Sequence, residues 1–171
     1  PNEERINEIL ADLKDASYLL SSVQKKNRKK SPLPPFTTSS MQQEANQKLN
    51  YTAKRTMQLA QQLYEGIAID GTNVGLITYM RTDSTRIAEP AQNEALSYIE
   101  ETFGKDYCPE KPRSYAQKGH IQNAHEAIRP TSVLRTPLSV RSSLSQPQYR
   151  LYKLIWERFV ASQMADAKVL S

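Results

Sequence analysis

The stretch that begins near Pro147 and runs on as QYRLYKLIWERFVASQM limits the fold more than any other. Its Tyr152, Ile155, Trp156, Phe159, Val160 and Met164 recur at helical spacing. A stripe so rich in aromatic and branched side chains needs other elements to cover it. Three shorter stretches can do so. Ser40 with Gln43 reads as a capping box ahead of a helix whose Met41, Ala45 and Leu49 share one face. Thr52 can cap a helix that ends at Gly66, with Met57, Ala60, Leu63 and Ile67 turned inward. Pro90 suits the first turn of a helix that stops at Gly104, its stripe being Leu96, Ile99 and Phe103. The fold class expected is therefore mainly α.

The N-terminal part reads separately. Asn2 to Ala16 shows Ile6, Ile9, Leu10 and Leu13 at i, i+3, i+4 and i+7, another helix. Ser17 to Gln24 is short and more strand-like. The run KKNRKK, Lys25 to Lys30, then meets SPLPPF, where Pro32, Pro34 and Pro35 forbid helix or central strand. The basic run reads as a solvated tether, with phosphate contact as the competing reading, and 31–36 as a proline-rich linker ahead of a helical domain over 37–167. The chain opens at Pro1 directly on a helical pattern, as a piece of a longer polypeptide would.

Composition excludes some classes. The single cysteine, Cys108, leaves no internal disulfide framework and suits a reducing, cytoplasmic compartment. One thiol and two histidines are too few for a Cys/His zinc site. No apolar run approaches the ~20 residues that span a bilayer. A net charge of +5 is compatible with nucleic acid without requiring it.

One segment breaks the helical pattern. GLITYMRTDS, Gly75 to Ser84, is rich in β-branched and aromatic residues and follows the turn-like IDGTN. Alternation along an extended chain puts Ile77, Tyr79 and Arg81 on one side. A phenol and a guanidinium so placed can reach a single phosphate, and arginine can bond two of its oxygens at once. Thr82, Asp83 and Ser84 are expected to open a helix, whose unpaired N–H groups attract anions. An ordinary tyrosine, with a pKa of ~10, is phenolate in about one molecule in a thousand at neutral pH. Positive charge nearby favours the phenolate and offsets the charge of a phosphoryl-transfer transition state. The competing reading is a buried strand tyrosine, the usual fate of such a residue.

AHEAIRPTS, Ala124 to Ser132, forms a second cluster. His125 and Arg129, four apart, would share one face of a helical turn. Together they suit a phosphodiester, one sharing a proton and the other neutralising charge. The plainer reading is a surface histidine beside Glu126, with the helix ended by Pro130. HEAIR lacks the second histidine of the zinc motif HExxH, so no metal site is assigned here.

GLITYMRTDST and AHEAIRPT, in that order, closely resemble the tyrosine-bearing segments of the bacterial type IA DNA topoisomerases. PPFTTSSMQQEANQKL, KRTMQLAQQLYEG and LYKLIWERFVASQM are similar to the flanking helices of that family, and the likeness covers roughly residues 31–167. It implies a helical, orthogonal-bundle-like tyrosine domain, with residues 1–30 coming from an adjoining gate domain and 168–171 starting the next segment. It implies relaxation of negatively supercoiled DNA through a 5′-phosphotyrosyl link at Tyr79, without ATP. Arg81 would position the phosphate, His125 would lie beside it, and Asp83 would be a neighbouring acid. Thr56 and Arg129 would face bound DNA. The partners implied are DNA, single-stranded where it is cut, and the remaining domains of a monomeric polypeptide. Mg²⁺ would be held by an acidic domain outside this chain, so the chain alone is expected to be inactive. The loop between Tyr64 and Gly75 is longer than in some relatives.

Two other readings compete. Tyrosine recombinases and the other topoisomerase type also join tyrosine to phosphate, but their tyrosine follows the Arg/His cluster, whereas Tyr79 precedes it. A helical DNA-binding module without catalysis explains the basic charge but not the pairing of Tyr79 with Arg81.

Overall fold

The computed structural model describes residues 2–115 and 125–170. Among them are five helices: α1 (Glu3–Lys14), α2 (Thr38–Leu49), α3 (Ala53–Glu65), α4 (Glu89–Phe103) and α5 (Gln146–Gln163). Four short strands accompany them: β1 (Asn27–Lys30), β2 (Ile67–Ile69), β3 (Thr72–Val74) and β4 (Ala167–Leu170). The fold is mainly α, as the periodicity requires. By its contacts the chain divides into Lys29–Ala167 and a smaller unit made of Pro1–Arg28 and Lys168–Ser171.

In the larger unit α5 is the centre of the core. Ser145 caps it, and the hydroxyl and Gln148 bond reciprocally. Tyr152, Ile155 and Phe159 are buried, and α2, α3 and α4 all pack against this helix. Its polar atoms are matched: the Tyr152 hydroxyl donates to the Arg135 carbonyl at 2.6 Å, and Trp156 Nε1 donates to the Val133 carbonyl at 2.9 Å. Burying such side chains supplies about 1.5–3 kcal/mol each, provided their polar atoms stay bonded.

Three sequence expectations change here. The capping box of α2 is formed by Thr37 and Ser40, one turn earlier than Ser40 with Gln43, because Thr37 accepts from the Ser40 amide while Ser40 Oγ accepts from the Thr37 amide. The proline-rich stretch, expected as a linker, is packed at its C-terminal end. Phe36 is fully buried, the Pro34 carbonyl accepts from Arg158 at 3.2 Å, and the stretch belongs to the larger unit. Most of the basic run is strand, β1, which pairs with β4.

β2 and β3 form an antiparallel hairpin with Ile67 opposite Val74 and Ile69 opposite Thr72. Asp70 and Gly71, both at positive φ, make the tight turn. The hairpin leads into Gly75, where a Cβ would come within 2.9 Å of the Tyr64 carbonyl oxygen. Only glycine lets the backbone run so close to the end of α3, and the Leu76 amide then donates to the Leu63 carbonyl at 2.7 Å.

In the smaller unit α1 is capped by Asn2. Its stripe of Ile6, Ile9, Leu10 and Leu13 is exposed. Among the described residues no helix is long and apolar enough to cross a membrane.

Candidate active site

The segment from Leu76 to Thr82 is held by backbone partners on both sides of Tyr79. Before it, Thr78 donates its amide to the Arg129 carbonyl at 2.9 Å and its hydroxyl to the Ala127 carbonyl at 2.7 Å. The Thr131 amide returns to the Leu76 carbonyl at 3.0 Å, and Ile77 pairs across to Pro130. After it, the Thr38 hydroxyl at the start of α2 donates to the Met80 carbonyl at 2.7 Å and accepts from the Thr82 amide at 2.9 Å. The Thr38 amide donates to the Thr82 carbonyl at 2.8 Å.

These bonds bend the chain at Tyr79, so it is not one straight strand. Leu76 and Ile77 are both buried, and Ile77 does not share a side with Tyr79 as alternation predicted. From Tyr79 onward the alternation is strict: Tyr79, Arg81 and Asp83 are exposed, while Met80, Thr82 and Ser84 are buried. The phenol and the guanidinium are thus both exposed. With 47% of its surface exposed, Tyr79 is not a core tyrosine. Its ring meets that of Tyr64 edge to face, centroids 5.3 Å apart.

No helix opens at Thr82. Residues 81–88 are irregular, and α4 begins at Glu89. The cause is local: the Ser84 amide bonds to Thr82 Oγ1 and the Arg86 amide to Ser84 Oγ, so side chains take the donors that a helix would use.

His125 and Arg129 do not share a helical turn either. Residues 127–129 are extended between neighbours, with the Ala127 amide donating to the Arg86 carbonyl and the Ile128 amide to the Phe36 carbonyl, each at 2.8 Å. The two side chains part company. His125 is exposed. Arg129 is turned inward, its side chain 12% exposed and paired with Glu126 at 2.7 Å, with a further bond to the Pro130 carbonyl. In this arrangement its guanidinium is bonded within the protein. Thr56 departs further from the expected DNA-facing role. It is fully buried, and its hydroxyl donates to the Thr52 carbonyl of its own helix.

A cleft of about 370 Å³ opens beside Tyr79. Tyr64, Thr78 and Tyr79 form one wall, and Thr82, Arg86, His125 and Glu126 form the rest. It brings together Tyr79 and His125, which lie far apart in sequence. Arg81 and Asp83 are exposed but do not line it. Sequence reasoning missed Tyr64 and Arg86. Tyr64 read only as a helical tyrosine, although Leu63 and Gly75 bracket the close approach that brings it to Tyr79. Arg86 follows the motif directly, and its basic side chain was the available signal.

Among the described residues, no group of three or more His, Cys, Asp or Glu side chains comes together to hold a metal ion. The Mg²⁺ that the resemblance implies therefore finds no ligand set among them.

The chain is similar to known proteins. The family model described as DNA topoisomerase matches residues 1–171. Full-length topoisomerase I from Thermotoga maritima, solved in a monoclinic crystal form, is 40% identical with a TM-score of 0.79. The match covers 98% of this chain and 26% of that one, so the chain spans about a quarter of that protein's length. With the family model matched over the whole chain, and Tyr79 set in a cleft with His125, the chain belongs to the type IA DNA topoisomerase family.

Proposed function

We propose that Tyr79 is the nucleophile of a transient DNA strand break. The observation that carries this reading is a half-exposed phenol on a backbone pinned on both sides, in a cleft shared with His125. The phenolic oxygen attacks the phosphorus of a single-stranded linkage. A bond forms between the tyrosine oxygen and phosphorus as the bond to the 3′ oxygen breaks, leaving a 5′-phosphotyrosyl link and a 3′ hydroxyl. The phenolic proton leaves as the bond forms, and a proton reaches the departing oxygen. His125, on the cleft wall, is placed to carry it. Arg81, exposed two residues beyond Tyr79, lends positive charge to the phosphate oxygens, and Asp83 is a neighbouring acid. One phosphodiester replaces another, so the reverse step rejoins the strand without ATP, and a strand passed through the gap changes DNA topology.

On its own the 171-residue chain, a quarter of the length of the solved topoisomerase, neither cleaves nor relaxes DNA at a useful rate. Tyr79→Phe in the complete topoisomerase tests the assignment. A labelled single-stranded oligonucleotide should bind as before, while the covalent adduct trapped by detergent disappears. Persistence of the adduct would place the nucleophile elsewhere.

A further inference from the structure

Arginines of the larger unit differ in their pairing, and Arg81, like Arg86, is exposed and forms no ion pair among the described residues. Arg113, Arg129 and Arg158 are each paired with a carboxylate, from Asp166, Glu126 and Glu44 respectively. Arg86 makes no ion pair among the described residues, and its side chain is exposed. Its backbone is nonetheless fixed at both ends. The amide donates to Ser84 Oγ at 3.1 Å, and the carbonyl accepts from the Ala127 amide at 2.8 Å, two residues beyond His125. A fixed backbone carrying an uncommitted guanidinium is the arrangement expected of a residue that waits for an anion.

Its position says which anion. Arg86 lines the Tyr79 cleft and also a second cleft of about 390 Å³, whose walls include Ile87, Gln92 and Tyr115. It is therefore the shared wall of the two. A strand whose scissile phosphate lies against Tyr79 meets Arg86 if it continues into the second cleft.

We infer that Arg86 binds the DNA phosphate adjacent to the one Tyr79 attacks and directs the strand from the Tyr79 cleft into the neighbouring cleft. The inference rests on the nucleophile assignment above and adds a substrate-binding residue to it. Arg86 is a positioning group for the strand and takes no part in bond making.

The test uses the complete topoisomerase, single-stranded oligonucleotides, and a set of oligonucleotides in which one phosphate at a time is a neutral methylphosphonate. Arg86→Ala should weaken binding roughly tenfold at low salt, as loss of a charge-assisted contact does, and reduce the slope of log K against log salt by about 0.7. Arg86→Lys should restore most of that slope. In the parent protein one neutral linkage next to the cleaved one should weaken binding severalfold. In Arg86→Ala the same linkage should make no further difference, since the two changes remove one contact. An unchanged salt slope, or penalties that add, overturns the inference. Tyr79→Phe, run alongside, separates the two assignments: if its adduct vanishes while Arg86→Ala behaves as the parent, only the role of Arg86 fails.

Discussion

Tyr64 and Tyr79 meet edge to face, with ring centroids 5.3 Å apart and planes at 66°. This pairing limits the swing of an otherwise half-exposed phenol, because the edge of one ring sits against the π face of the other. Such a contact is worth about 0.5–1.5 kcal/mol beyond its buried area. Tyr64→Ala should therefore slow single-turnover cleavage of an oligonucleotide by roughly threefold to tenfold. Tyr64→Phe, which keeps the ring, should cleave at the parent rate. Equal losses in the two variants would mean that the hydroxyl, and not the ring, is what matters.

Thr38 acts on the other side of Tyr79. Its hydroxyl gives one bond to Met80 and receives one from Thr82. Thr38→Val keeps the shape but orphans a carbonyl and an amide, a loss of about 1–3 kcal/mol. Urea unfolding should show that loss, and cleavage should fall further than DNA binding does. If stability drops while the ratio of cleavage to binding stays constant, the clamp has no part in aiming the phenol.

Glu126 and Arg129 form a pair with little exposure on either side, 21% and 12%. Glu126→Gln leaves the guanidinium with a weaker partner in a poorly solvated place, and should cost about 1–3 kcal/mol. The salt dependence of DNA binding should barely move, because Arg129 is engaged inside the protein. A clear change in salt slope with unaltered stability contradicts that placement.

The Asp166 carboxyl is held below the usual carboxylate range, first by the hydrogen bond from Arg113, then by one from Ser31 and by the charge of Arg113. A depressed folded-state pKa means stability that is present above the unfolded value and lost as pH falls through the folded one. The melting temperature should thus decline as pH drops below about 4, the ordinary value for an aspartate. Asp166→Asn should flatten that decline. Parallel curves for parent and variant would remove Asp166 from the account of acid sensitivity.

How much of this was legible in the residues alone depends on the range of the cause. α5 could be read from its stripe, since periodicity and burial report the same surface. The exposure of Tyr79 and Arg81 agrees with the alternation, which holds from Tyr79 to Ser84. Ile77 departs from it, since its burial follows from pairing with Pro130 across the fold. The helix expected at Thr82 fails for a local reason, Thr82 and Ser84 bonding their own backbone, which propensity rules describe only on average. The inward turn of Arg129 and the presence of Arg86 beside His125 are tertiary facts. Both depend on 127–129 lying extended between Arg86, Phe36 and Thr78, and nothing in the local pattern announces those neighbours.

The bond from the Leu76 amide to the Leu63 carbonyl ties together the two ends of an excursion that contains the hairpin. Whatever lies beyond that knot can lengthen, shrink or change its decoration without tugging on the phenol. Insertions there are cheap for the same reason that a side road can be rerouted when its junction is paved. A relative with a plain bend in place of β2 and β3 should still present its tyrosine at the same spot, provided a glycine remains where Gly75 passes the end of α3.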